Sequence, residues 1–140
     1  MKLAIKRLPH CIGDLSYARH GDSGFDLRTT ATTTIEPGQT RAMPTGWCFG
    51  IPTGYELQIR PRSGLSYLGI RASLGTVDSG YIGEVKVTLY NATKHPLNVV
   101  KGERIAQAVL CPVVKAEFVE VEDLAPTDRG SDGFGSTGRY

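Results

Sequence analysis

Asp78 and Tyr81 lie three residues apart in the run Gly75-Thr76-Val77-Asp78-Ser79-Gly80-Tyr81-Ile82-Gly83-Glu84. The run places a carboxylate and an aromatic ring in a turn studded with glycines. Glycine lets a backbone take positive φ and approach a ligand closely, so main-chain N–H and C=O groups here could read a flat polar ring. From 85 to 90 the apolar Val85, Val87 and Leu89 alternate with Lys86, Thr88 and Tyr90, the period of a half-buried strand. Asp78 and Tyr81 are therefore expected at the mouth of rigid structure. Taken alone, the same residues would also suit an ordinary hairpin with Asp78 as a turn former.

Four further segments suit phosphate chemistry. Pro61-Arg62-Ser63-Gly64-Leu65 combines a fixed-angle proline, a forked cation, a hydroxyl and a glycine. Arg62 can grip phosphate oxygens at two points while Ser63 and the following N–H groups donate to others; a solvated surface turn has the same composition. In Ser23-Gly24-Phe25-Asp26-Leu27 the carboxylate sits between apolar residues, where desolvation demands a partner. Asp26 is either a structural acceptor or an anchor for metal-bound water. Gln107, in Gly102-Glu103-Arg104-Ile105-Ala106-Gln107, projects an amide that donates and accepts, and in isolation the segment reads first as carrying a structural amide. Arg129-Gly130-Ser131-Asp132-Gly133-Phe134-Gly135-Ser136-Thr137-Gly138 offers a cation, hydroxyls and accessible N–H groups, as a phosphate-cradling loop does. It lacks the lysine and following helix of the strand-loop-helix nucleotide motif.

The elements that must position these residues read as short strands. Turn signals recur at Gly21-Asp22-Ser23-Gly24, Pro37-Gly38, Pro44-Thr45-Gly46, Pro52-Thr53-Gly54, Asn91-Ala92-Thr93 and Lys101-Gly102, each a Gly, Pro or Asx cluster that bends a chain. Between them, residues 3–8, 32–35, 39–43, 47–51, 55–60, 85–90, 97–100, 105–114 and 116–121 carry β-branched or aromatic residues in strand-length runs. One helical turn is expected at 64–68. The expected fold is all-β, a jelly-roll-like antiparallel sandwich or barrel, with a core over 1–127 and a flexible Gly-rich C-terminal arm over 128–140.

The 140 residues suffice for one domain with a real core. Sixteen basic against 14 acidic residues give a net charge of +2, too little for a global field favouring nucleic acid or a membrane surface. Three widely spaced cysteines, Cys11, Cys48 and Cys111, fit neither a disulfide framework nor a zinc site and suit a reducing compartment. With no hydrophobic run of spanning length, a soluble cytoplasmic protein is expected.

In order and spacing, the five segments resemble the five motifs of the trimeric deoxyuridine triphosphate nucleotidohydrolases, the dUTPases, over nearly the whole chain. The resemblance implies a homotrimer of jelly-roll subunits with three shared active sites, and Mg2+-assisted hydrolysis of dUTP to dUMP and pyrophosphate, which clears dUTP and supplies dUMP for thymidylate synthesis. It implies that Asp78 orients and deprotonates the attacking water, and that Tyr81 packs on the deoxyribose and excludes a 2′-hydroxyl. Uracil would be read by hairpin backbone at Gly75, Thr76 and Val77 through Tyr81, with Lys86 also on the substrate. Arg62, Ser63 and Gly64 would hold phosphates with Gln107 nearby, and Asp26 would reach magnesium through water, the triphosphate supplying most of the metal's ligands. Arg129, Gly135, Ser136, Thr137 and Gly138 would close over the β- and γ-phosphates while Phe134 stacks on uracil. Two departures stand out: Ser23, where many members have alanine, and Ala72, near which many carry an asparagine. Residues 1–22 match nothing specific.

Three rivals differ in what they require. A dCTP deaminase of the same fold needs a glutamate as proton shuttle where this chain has Thr88. A non-catalytic nucleotide-sensing trimer could dispense with the tail motif, which is present. Single-stranded nucleic-acid binding wants aromatics interleaved with a basic groove, and the aromatics here are scattered.

Overall fold

The computed structural model describes residues 1–131 and 133. Eleven strands and one short helix follow one another: β1 (Ala4–Arg7), β2 (Phe25–Arg28), β3 (Thr33–Ile35), β4 (Thr40–Pro44), β5 (Trp47–Gly50), β6 (Tyr55–Arg60), α1 (Ser63–Tyr67), β7 (Ile70–Ala72), β8 (Gly75–Val77), β9 (Lys86–Asn91), β10 (Leu97–Val99) and β11 (Arg104–Pro112). The strands form a four-stranded sheet in the order β2-β11-β6-β8, a three-stranded sheet β4-β9-β7, and the pairs β1-β5 and β3-β10. Every pairing is antiparallel. Among the described residues no helix is long and apolar enough to cross a membrane.

Alternation builds the sandwich. Phe25 and Leu27 of β2, Leu57 and Ile59 of β6, and Val87 and Leu89 of β9 turn inward into one cluster that also takes Met43, Trp47, Phe49, Ile70 and Ile105. Their neighbours in sequence face out, as the period of two requires. In β11 the pattern breaks: Ile105 and Ala106 are both buried, and the register with β2 shifts between Arg104 and Ala106. This is a bulge, one extra residue that sends two consecutive side chains inward and leaves Arg104 and Gln107 both outside.

Asn91, the last residue of β9, is fully buried and acts as a hub. Its Nδ2 donates to the carbonyls of Ile35 and His95 at 2.8 Å each, and its Oδ1 accepts from the Thr93 N–H and hydroxyl at 2.9 and 2.7 Å. The amide thus joins β9 to β3 and closes its own turn, with no buried side-chain polar atom among the described residues left unsatisfied.

Two expectations from the sequence fail here. Residues 116–121 form no strand, and Val114, Phe118, Val119, Val121 and Leu124 are exposed. Their β-forming composition finds no neighbouring strand among the described residues, and strand propensity without a ladder does not make a strand. The stretch 75–90 is also not a hairpin. β8 lies along β6 in the four-stranded sheet, whereas β9 pairs with β4 and β7 in the other; the turn between them carries the chain from one sheet to the other. Of the tail proposed to close over a ligand, Arg129 is described, while Phe134, Gly135, Ser136, Thr137 and Gly138 lie outside the described residues.

Candidate active site

Three adjacent strands lay polar groups in a row. In the ladder Asp26 of β2 pairs with Gln107 of β11, and Gln107 pairs with Arg60 of β6. Asp26 and Gln107 are flanked by inward-facing apolar residues and Arg60 follows inward-facing Ile59, so all three project from the outer face of the four-stranded sheet. The chain then leaves β6 through Pro61 and turns into α1, which sets Arg62, Ser63 and Gly64 over the end of the row. A cleft of about 620 Å³ results, lined by Asp22, Ser23, Gly24, Asp26, Arg60, Arg62, Ser63, Gly64, Leu65 and Gln107 among others.

The contacts within this cleft fix the cations. Arg62 Nε lies 2.8 Å from Asp26 Oδ1, and Arg104 Nη1 lies 3.1 Å from Asp26 Oδ2. Arg62 also donates through Nη1 to the Arg104 carbonyl at 3.0 Å. One carboxylate therefore orients two guanidinium groups at a rim where each keeps further donors for an incoming anion. Gln107 Nε2 donates to the Pro61 carbonyl at 3.0 Å, which leaves its Oε1 toward Gly24. A Cβ at Gly24 would come within 2.9 Å of that oxygen and 3.2 Å of the Ala108 carbonyl, so the absence of a side chain there admits the amide.

A second pocket, of about 370 Å³, is lined by Thr76, Val77, Asp78, Tyr81, Glu84, Val85 and Lys86. Asp78 is exposed. The Tyr81 N–H donates to the Asp78 carbonyl at 3.2 Å, closing the turn, and the Tyr81 hydroxyl donates to the Glu84 carbonyl at 3.0 Å. Of the glycines here, only Gly80 has positive φ, at 93°. Gly83 matters for space: a Cβ would lie 2.5 Å from the Tyr81 hydroxyl oxygen and 2.7 Å from Cζ. Burial pushes the Glu84 carboxyl up, but hydrogen bonds from His10 and the Gly46 N–H, together with the charges of His10 and Lys86, outweigh it and hold the group below its ordinary range.

Sequence reasoning named Asp26, Arg62, Ser63, Gly64 and Gln107, and the fold brings them into one cleft. It named Thr76, Val77, Asp78, Tyr81 and Lys86, and these line the other pocket, with Gly75 in β8 beside them; within one chain the two groups stay apart. It missed Arg60 and Arg104, whose positions depend on the ladder and on the bulge. Ala72 is buried opposite Leu89, so its methyl serves the core. Among the described residues no group of three or more His, Cys, Asp or Glu could cage a metal. Asp26, with an arginine on each oxygen, retains lone pairs for a metal-bound water, which suits a hard cation that arrives with phosphate ligands of its own.

An all-β sandwich with an arginine-lined cleft of this kind suits an anionic ligand, and comparison with known proteins gives the family. The dUTPase family profile matches residues 12–138. The deoxyuridine 5'-triphosphate nucleotidohydrolase of Nautilia profundicola is 46% identical over 142 residues, covering 99% of this chain and 100% of the relative. That of Anaeromyxobacter sp. is 49% identical over 126 residues, 88% of this chain and 86% of the relative. Among solved structures, a variant of the phage 80alpha dUTPase superposes with a TM-score of 0.90 at 26% identity over 96% of this chain and 98% of the other. Another variant of that phage enzyme, solved with dUpNHpp, gives 0.88 at 26% over 98% of both chains. The chain belongs to the dUTPase family.

Proposed function

We propose that the protein hydrolyses dUTP to dUMP and pyrophosphate with Mg2+ in homotrimers whose active sites draw on more than one chain. The observation that carries the reading is the cleft where Asp26 orients Arg62 beside Ser63, Gly64 and Gln107 and holds Arg104 at its edge, in a chain whose relatives are dUTP nucleotidohydrolases. Arg62 and Arg104 neutralise phosphate oxygens, Ser63 and the N–H groups after it donate to others, and Gln107 keeps Oε1 for a polar partner. Asp78 accepts a proton from a water whose oxygen bonds to the α-phosphorus as the bond to the bridging oxygen breaks and pyrophosphate departs. Magnesium, brought by the triphosphate and reached by Asp26 through water, would supply charge neutralisation on the phosphate oxygens.

Uracil recognition rests on β8. It is the edge strand of its sheet, one side paired with β6 and the other without a partner strand among the described residues. Such an edge offers backbone donors and acceptors at fixed spacing, and Tyr81 stands beside it to exclude a ribose hydroxyl. Two observations support shared sites: the phosphate cleft and the Asp78 pocket are separate in one chain, and the apolar side chains at 114–124 lie exposed, as a surface awaiting other subunits would. Three free cysteines accord with action in the reducing cytoplasm, where dUTP removal would also provide dUMP for thymidylate synthesis. The segment from 128 on is assigned to closure over the nucleotide. Truncation after Thr127 should leave melting nearly unchanged and slow turnover severely; undiminished turnover would discard that assignment.

The deciding experiment incubates the protein with dUTP, dCTP, dTTP or UTP plus magnesium and follows pyrophosphate and ammonia. Pyrophosphate from dUTP alone is expected. Ammonia from dCTP would move the protein to the deaminases, and equal turnover of UTP would remove the role given to Tyr81.

A further inference from the structure

The N-terminal segment, which matched no motif, ends against the turn that carries Tyr81. β1 runs along β5, with Arg7 opposite Trp47 and its guanidinium 4.6 Å from the indole centroid. The Leu8 N–H then donates to the Gly46 carbonyl at 2.9 Å. Gly46, at φ +75°, lies so close to Cys11 that a Cβ would sit 2.5 Å from the Cys11 Cα. This contact delivers His10 to Glu84: Nε2 lies 2.9 Å from Oε1, and the same oxygen accepts the Gly46 N–H at 2.8 Å. The Glu84 side chain is 18% exposed, so its carboxylate is a half-buried tie between three pieces of chain.

The other end of Glu84 is what connects this tie to the pocket. Its carbonyl accepts the Tyr81 hydroxyl, and Tyr81, 48% exposed, has little packing to orient it. The ring is set by that bond, by the room left at Gly83 and by the turn bond to Asp78. Val85 continues the anchorage, its N–H donating to the Trp47 carbonyl at 2.9 Å and its carbonyl accepting the Thr45 hydroxyl at 2.6 Å. Side chain and backbone of 84–85 thus bolt the pocket turn to the β4–β5 turn, and His10 bolts both to the N-terminal segment.

We propose that Glu84 is a positioning residue for Tyr81, and that the N-terminal segment, through His10, completes the clamp that sets discrimination against ribonucleotides. This rests on the reading that Tyr81 meets the sugar. A mispositioned ring costs sugar fit in ground and transition states alike, so the effect falls on KM and on the dUTP/UTP ratio rather than on kcat.

The test compares Glu84→Ala, Glu84→Gln, His10→Ala and Gly83→Ala with Tyr81→Ala in the full-length protein, each checked for assembly and melting, with steady-state constants for dUTP and UTP. Glu84→Ala should raise the KM for dUTP and lower the dUTP/UTP ratio of kcat/KM, each by about tenfold, with kcat within about twofold. Glu84→Gln keeps an acceptor for the Gly46 N–H and should retain most of the ratio, and His10→Ala should lose part of it. If Glu84→Ala does not fold, His10→Ala decides, because it removes the carboxylate's cross-chain partner while the carboxylate stays; Gly83→Ala, which displaces the ring directly, should lower the ratio in either case. Unchanged discrimination in Glu84→Ala, or in His10→Ala in its place, alongside relaxed discrimination in Tyr81→Ala overturns the clamp and leaves the Tyr81 reading intact. Unchanged discrimination in Tyr81→Ala overturns both.

Discussion

At position 78 a carboxylate and an amide differ chiefly in the ability to take a proton. Asp78→Asn should therefore keep nucleotide affinity while turnover drops about a hundredfold or more, checked by binding and single-turnover measurements on the same preparation; a near-normal rate would place the base elsewhere. Glu84 gives a second expectation, with its sign fixed by its partners. Its carboxyl is held below the ordinary range in the folded state, so the stability it adds is present above that range and is lost as pH falls from about 4 through the lowered value. Melting followed from pH 6 down to about 3 should fall more steeply in the wild type than in Glu84→Gln. Residue types carried much of this into view from the sequence. Asp26 announced itself as a carboxylate among apolar neighbours that needed a partner, and its partners proved to be Arg62 and Arg104. Arg104 itself was not legible, since an arginine at a strand start is ordinary until the fold shows which carboxylate it faces.

Among the elements, the turns are where composition and geometry agree most closely. Gly46 and Gly54 both hold positive φ, at 75° and 85°, yet a Cβ at Gly46 would strike the Cys11 backbone while one at Gly54 would meet nothing within 4 Å. Gly54→Ala should thus cost about 1 kcal/mol of conformational strain, and Gly46→Ala clearly more, about 3 kcal/mol or beyond. Thermal melting of the two variants side by side checks the difference, and equal losses would mean that Cys11 gives way. The strand β9 was readable because Val85, Val87 and Leu89 alternate without interruption. β7 and β8 were not, since they sit among the turn residues that flank the short helix and Asp78, and their pairing with β9 and β6 is decided across the sheets. The β11 bulge was equally hidden: adjacent Ile105 and Ala106 read as a plain apolar pair, and only the register with β2 shows that one is supernumerary. Residues 116–121 erred in the opposite sense, their strand composition outrunning any partner among the described residues.

For the molecule as a whole, the separation of the phosphate cleft from the Asp78 pocket makes complementation the sharpest check. Asp78→Asn and Arg62→Ala proteins, each inactive alone, should recover a fraction of wild-type turnover when unfolded and refolded together, because some mixed assemblies would pair an intact cleft with an intact pocket. No recovery in demonstrably mixed assemblies would confine each site to one chain. The exposed apolar row that ends the described fold, from Val114 through Phe118 at 95% exposed to Leu124 at 87%, reaches into the life of the newly made protein. Under the proposed assembly, a solitary chain would carry that sticky surface through water until it met its own kind, so productive encounter and indiscriminate clumping would compete for the same surface. Dilution, the usual remedy for clumping, would slow the productive encounter as well, and the yield of usable protein would peak at an intermediate concentration.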